Sequence, residues 1–362
     1  MSNSKAALIK HLEGWIPLES RQNNPTYVRL IAAVLDNDEL LELASCVPEP
    51  QLPANVLFAS VHFLLLQGTV HPLALHYPTV RLRHGLNLNP TATLEDDFLD
   101  FTRANRDELL ALLATGITQT NEVARSAILS AVLGDLASEG VIEVSVVDAG
   151  CSAGLNLLVD QYRITCSPDV ATGPEASSVN LFPHHRGRVP SGQLPSLVHR
   201  VGLDQQPLDP SNHRDATWLA ACLWPDDPTR FTRLQAALNL ALRHRNLFQL
   251  HAGDLIGDLS RVAMTVPKGT HLVIFTSWAA AYLKSGEHAA LTRQVDEIGA
   301  TREVTWLSFE HPLTATALGL VEPGFCTKWP GASVLTRRTC GTTARTVVVG
   351  EAHPHAEWIN LT

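Results

Sequence analysis

The spacing of apolar residues changes character near residue 140. Before that point it follows a helical period. Tyr27, Leu30, Ile31, Val34 and Leu35 share one face, with Pro25 suited to the first turn. Val56 to Leu66 is apolar nearly all round, which predicts a buried helix. Leu94–Thr102 and Arg106–Leu113 predict two short helices. Thr120 or Asn121 can cap a further helix running to about Glu139. No strand-like alternation precedes residue 141.

From there, short β-branched runs alternate with helical stretches. Strands are predicted at Val144–Asp148, Leu197–Leu203, Phe248–Ala252, His271–Phe275 and Glu303–Phe309. Asp227 and Pro228 open a helix whose stripe is Phe231, Leu234, Leu238 and Ala241/Leu242. Another helix, Glu287–Gly299, turns Leu291, Val295 and Ile298 inward. Ser333–Arg338 and Arg345–Glu351 are joined by T-C-G-T-T-A, so they should pair antiparallel. The polar, Gly/Pro-rich stretch at about 167–195 looks like an insertion. Together these predict an α/β fold, a doubly wound, mostly parallel, seven-stranded Rossmann-like sheet with an N-terminal all-helical domain. The expected division is a helical cap over 1–140 and a sheet domain over 141–362.

Ligands in such sheets bind beyond the carboxyl ends of the strands. Those ends carry Asp148/Gly150, Asp204, Asp254, Ser277/Trp278 and Glu310. The first is followed by D-A-G-C-S-A-G-L-N (148–156), a strand that stops in a glycine loop and continues helix-like. Three chemistries compete for this loop. A dinucleotide site needs G-x-G-x-x-G, whereas this loop reads G-x-S-x-G, with an acid where a pyrophosphate would be repelled. A serine hydrolase matches G-C-S-A-G letter for letter, with Ser152 as nucleophile, Asp254 or Glu310 as acid, and His353 or His355 as base. Against it, only helices precede the elbow strand. The third is S-adenosylmethionine, which has no phosphate but has an amino-acid end, a ribose diol and an adenine. Asp148, Asp204 and Asp254 stand where acids would meet those three parts.

Composition narrows the partners. The 362 residues are 45% hydrophobic and 17% charged, with a net charge of −9. No basic run interleaved with aromatics suggests nucleic acid. Six cysteines without a Cys-x-x-Cys pair fit reduced thiols in a cytoplasmic protein. The opening M-S-N-S-K-A-A-L-I-K is unlike a signal peptide, and no apolar run is long enough to span a bilayer.

The motifs Q-T-N-E-V-A-R (119–125), D-A-G-C-S-A-G-L-N-L (148–157), G-L-D-Q-Q-P-L-D-P (202–210), W-P-D (224–226) and E-A-H-P-H-A-E-W (351–358) occur in that order. Through them the chain resembles a bacterial family known as domain of unknown function 2332, whose members look like class I S-adenosylmethionine-dependent methyltransferases. The resemblance implies a methyltransferase-like fold more than a particular reaction. Methyl transfer is the expectation drawn from the strand-end acids, and a small-molecule acceptor that drawn from the helical cap. The acidic balance and short apolar runs point away from nucleic acid and membrane as partners. Two positions depart from the family pattern. Asp148 stands where glutamate is common, and Thr276 stands where a histidine before the serine is usual.

The expected cofactor contacts are Asn121, Asp148, Gly150, Ser152, Gly154, Asn156, Asp204, Asp254 and Ser277. The expected proton acceptors are His353, His355 and Glu310, and no metal is expected. Asn121 would lie over the methionine end, and the helical cap would supply the acceptor pocket. Trp278 and Tyr282 could wall that pocket or pack under a helix. Asp160 and Tyr162 are expected to be structural, and Cys151 to be present for its small size. The alternatives are hydrolysis by Ser152 and a non-catalytic cofactor-binding or scaffold protein.

Overall fold

The computed structural model describes residues 5–21, 24–341 and 343–362. The extreme N-terminus and Thr342, in the predicted hairpin connection, lie outside the described residues. The chain divides into two compact units, Met1–Thr120 with Asn212–Gln235, and Asn121–Ser211 with Ala236–Thr362.

The first unit is helical. Its centre is Pro53–Leu66, where every residue but Asn55 is buried. Phe58 in this helix meets Tyr27 at 4.8 Å between ring centroids and Phe98 at 6.1 Å. His62 is fully buried among these apolar groups. Its ring nitrogens lie 3.1 Å from Ala221 O and 2.8 Å from Thr79 Oγ1. Burial pulls its pKa down to about 4, so the ring is neutral.

The unit departs from the expected cap in its membership: it gains 212–235 and excludes 121–140. Specific contacts hold the returning segment. Trp218 Nε1 donates to Ile117 O at 2.8 Å, and its ring lies so close to Gly116 that a Cβ there would sit 2.9 Å away. Asp226, of the W-P-D motif, accepts from both the backbone N–H and the hydroxyl of Thr26. Neither end of this segment carries a composition shift, so periodicity alone could not assign it.

The second unit is built on strands β1 (Glu143–Ala149), β2 (Arg163–Ser167), β3 (Val170–Thr172), β4 (Asn180–Leu181), β5 (His184–His185), β6 (Ser196–Asp204), β7 (Gln249–Ala252), β8 (His271–Ser277), β9 (Val304–Glu310), β10 (Ser333–Cys340), β11 (Arg345–Ala352) and β12 (Trp358–Leu361). The main sheet has nine strands in the order β5-β12-β11-β10-β9-β8-β1-β6-β7. Pairing is parallel from β7 through β9 and between β12 and β5, and antiparallel from β9 to β12. The fold is therefore α/β on a large, mostly parallel sheet.

Seven strands were expected. The two extra are β12 and β5, of four and two residues, too short to show an alternating pattern. The polar insertion likewise supplies β3 and β4, which pair with the preceding β2 in a three-stranded sheet of order β3-β2-β4. The predicted hairpin is present as β10 and β11.

The run β7-β6-β1-β8-β9 has the order 3-2-1-4-5 of a doubly wound sheet, so the switch point lies beside β1. Val147, Ala149, Ile274 and Trp306 belong to the core cluster shared with Leu255–Thr265 and Glu287–Gly299. By strand alternation Asp148 faces the opposite side.

Candidate functional site at the carboxyl edge of the sheet

Asp148 is the next-to-last residue of β1, and little of it reaches solvent. Its Oδ2 has no hydrogen-bond partner among the described residues. Burial, reinforced by the negative charge of Asp204, pushes its pKa up to about 7, and Arg125 opposes that shift. Two strands away Glu310 is in the same state. Its Oε1 accepts from Ala279 N and Ala280 N at 3.1 Å each, while Oε2 is buried without a partner. Burial raises it too to about 7, against the backbone donors and Arg125. Between them, Ser277 at the end of β8 has a buried hydroxyl without a partner. Three adjacent strands, β1, β8 and β9, thus each end in an orphaned polar atom. Native interiors rarely leave such atoms unpaired without a functional reason.

The glycine loop is closed by its neighbours. Asp204, at the end of β6, accepts from Ser152 N through Oδ2 and from Gln206 N through Oδ1, both at 2.9 Å. Asn121 Oδ1 accepts from Leu155 N at 3.0 Å, so this side chain ties the loop instead of capping the following helix. That helix is preceded by a 3₁₀ turn, Val123–Arg125, capped by Glu122. Asn156 Oδ1 accepts from the Ser126 hydroxyl at 2.8 Å.

Gly150 has φ +89°, and a Cβ there would run into the Ala279 Cβ. Gly154 has φ +70°, and a Cβ there would lie 2.7 Å from Leu250 Cδ2. Both glycines serve close approach of the loop to its neighbours. Cys151 packs against Gly202, and its thiol is pushed well up by burial. The expected continuation into a helix is only a 3₁₀ stretch, Leu155–Gln161, non-helical at Leu158. It provides no helix N-terminus for an anion, so the loop's chemistry rests on Asp148 and the backbone.

Other expected residues divide. Asp254 is exposed and caps the helix Leu255–Thr265, accepting from Ile256 N and Gly257 N, with Gln205 Nε2 on its second oxygen. Asp160 and Tyr162 are structural: Arg200 pairs with Asp160 through both nitrogens, and Tyr162 donates to Leu155 O. Thr276, at the departed position, accepts from Trp306 Nε1 at 3.0 Å in the core, turned away from Ser277. Tyr282 is largely exposed.

At the H-P-H turn, His353 Nδ1 accepts from His355 N, and His355 Nδ1 lies 3.5 Å from the buried Glu122. Glu351, at the end of β11 just before this turn, has both oxygens engaged by Lys328 N and Trp329 N.

Arg125 was overlooked from sequence. It is buried and donates from Nε to Pro354 O at 2.9 Å and from Nη1 to Ser277 O at 3.1 Å. Its guanidinium lies 5.9 Å from the Trp278 ring centroid. The available signal was an arginine closing the motif Q-T-N-E-V-A-R and followed directly by the apolar helix from Ser126. Among the described residues, the non-glycine positions with positive φ are Ser152, Trp278 and Ala356. All three lie in segments leaving this edge, after β1, β8 and β11. Such conformations concentrate where structure serves function.

Fold and site together define an α/β protein with a strained, acid-rich carboxyl edge at the switch point of a doubly wound sheet. The chain belongs to the family described as "Uncharacterized protein conserved in bacteria (DUF2332)", which matches residues 18–360. Among curated proteins none matches. A solved structure, Streptomyces venezuelae DesVI, is similar over 65% of this chain and 72% of that chain, with 14% identity and a TM-score of 0.25. No helix among the described residues is long and apolar enough to cross a membrane.

Proposed function

We propose that this chain is an S-adenosylmethionine-dependent methyltransferase acting on a small molecule. The observation that carries the reading is the unpartnered Asp148 carboxylate oxygen, buried at the switch point with Asp204 at the next strand end. An acid-rich edge suits a ligand bearing ammonium, sulfonium and hydroxyl groups and repels a pyrophosphate.

Asp148, the backbone of Gly150–Gly154, Asp204 and Ser277 would hold the cofactor. When bound, the cofactor supplies a methyl group on a good leaving group. The protein then has to align the acceptor, exclude water and, where the acceptor must lose a proton, take that proton. Glu310 suits this last task, because backbone donors orient one oxygen and the other has no partner. Asn121 acts indirectly, by fixing the loop at Leu155 N.

Calorimetric titration with S-adenosylmethionine and S-adenosylhomocysteine tests the reading. Wild type should bind both, and Asp148→Asn and Asp204→Ala at least about tenfold more weakly, as loss of one charge-assisted hydrogen bond implies. No binding by the wild type would sink it. Binding without turnover over a broad acceptor panel would favour a cofactor-binding scaffold. The strained Ser152, φ +52°, favours a second reading, hydrolysis from a nucleophile elbow. Of the acids that reading needs, Asp254 is exposed and engaged in a helix cap. Labelling of Ser152 by a fluorophosphonate would support it.

A further inference from the structure

We propose that Arg125 is the positioning residue of this edge, tying the two strained segments after β8 and β11 together and acting with its positive charge on the buried carboxylates of Asp148 and Glu310. The geometry is specific. One guanidinium reaches Pro354 O, in the turn ending at strained Ala356, and Ser277 O, directly before strained Trp278, whose ring it also faces. A planar fork can serve two carbonyls and a ring at once, which a lysine cannot. Arg125 acts on Asp148 and Glu310 by its charge and not through a hydrogen bond to either carboxylate.

This arrangement leaves carboxylate oxygens free for a ligand. An arginine paired directly with Asp148 would occupy the oxygen that is orphaned here. Held by carbonyls instead, Arg125 favours ionisation of both acids without filling their acceptor positions. The other groups facing the cluster are Asp204 and Cys151 beside Asp148, the backbone N–H groups of 279 and 280 at Glu310, and Glu122 with His355 alongside the turn. Asp204 opposes ionisation of Asp148, so removing Arg125 should leave both acids protonated to a higher pH.

The inference deepens the methyl-transfer reading, but its decisive measurement is ligand-free. Infrared titration of buried carboxyl groups, assigned with Asp148→Asn and Glu310→Gln, should show wild-type midpoints near neutral pH. In Arg125→Met these should rise by about one unit. Arg125→Lys keeps the charge and should hold the midpoints within a few tenths of a unit. It should also raise hydrogen exchange several-fold in both 277–282 and 353–357, because it cannot span the two carbonyls. Unmoved midpoints in Arg125→Met would overturn the proposal. So would unchanged exchange in Arg125→Lys, a variant that tests the claim even if the methionine variant does not fold. Calorimetry with S-adenosylhomocysteine forms a separate arm. If wild type does not bind it, the methyl-transfer reading fails while the titration still judges Arg125.

Discussion

Asp148 shows how one buried carboxyl can act against the stability of the fold that holds it. Its ordinary pKa is about 4 and its folded value is about 7. A pKa raised on folding favours the native state fully at pH below the unfolded value. That contribution disappears as pH rises toward the folded value. Ligand-free protein should therefore lose stability between pH 4 and 7 on account of Asp148, with Glu310 acting the same way. Asn mimics the protonated acid. Asp148→Asn is expected to gain about 1–2 kcal/mol at pH 8 and nothing at pH 4, measured by urea unfolding, while losing ligand affinity. A lower urea midpoint at pH 8 would contradict this account.

The acids were legible as types at strand ends. Their division of labour was not. Asp204 and Asp254 both follow strands, yet one secures the loop and the other caps a helix. That outcome depends on which N–H groups lie within 3 Å, and no local pattern encodes it.

Among the elements, the loop after β1 and the segment after β8 are mutually dependent. Gly150 is required twice over, by its positive φ and by Ala279 lying where a Cβ would go. Gly150→Ala should therefore cost about 2–4 kcal/mol, combining left-handed strain with a clash that must push the second segment away. Chemical denaturation measures the loss, and hydrogen exchange should locate it in 149–154 and 278–282. Alanine at Gly140, also at positive φ but with nothing within 4 Å of a Cβ, is the control and should show only the strain component.

Strands β1, β8 and β9 were legible because buried parallel strands are near-continuous apolar runs. The helix Lys5–Arg21 and the strands β2 to β5 and β12 carry no comparable run and passed unnoticed.

For the molecule as a whole, the two units respond to acid with opposite sign. His62 in the helical unit has its pKa lowered from 6.5 to about 4. Its neutral burial contributes stability that is complete above pH 6.5 and is lost as pH falls toward 4 and the ring must charge. Asp148 and Glu310 in the sheet unit are relieved over the same interval. Acidification from pH 7 to 4 should raise amide exchange, corrected for intrinsic rate, in Pro53–Leu66 before β1, β8 and β9. The reverse order would show that these buried groups do not govern the acid response.

The amino-acid pattern determined that helices precede a mostly parallel sheet, that acids line its carboxyl edge and that a glycine loop follows the first strand. Each follows from local periodicity or from residue type at a fixed offset. The three-dimensional fold decided the rest. It returned 212–235 to the helical unit, shortened the helix after the loop, and spent the glycines on packing. It also placed Arg125 against two strand ends more than 150 residues downstream. Those outcomes arise from contacts between distant segments, where burial removes water and only the assembled neighbours decide which polar groups find partners.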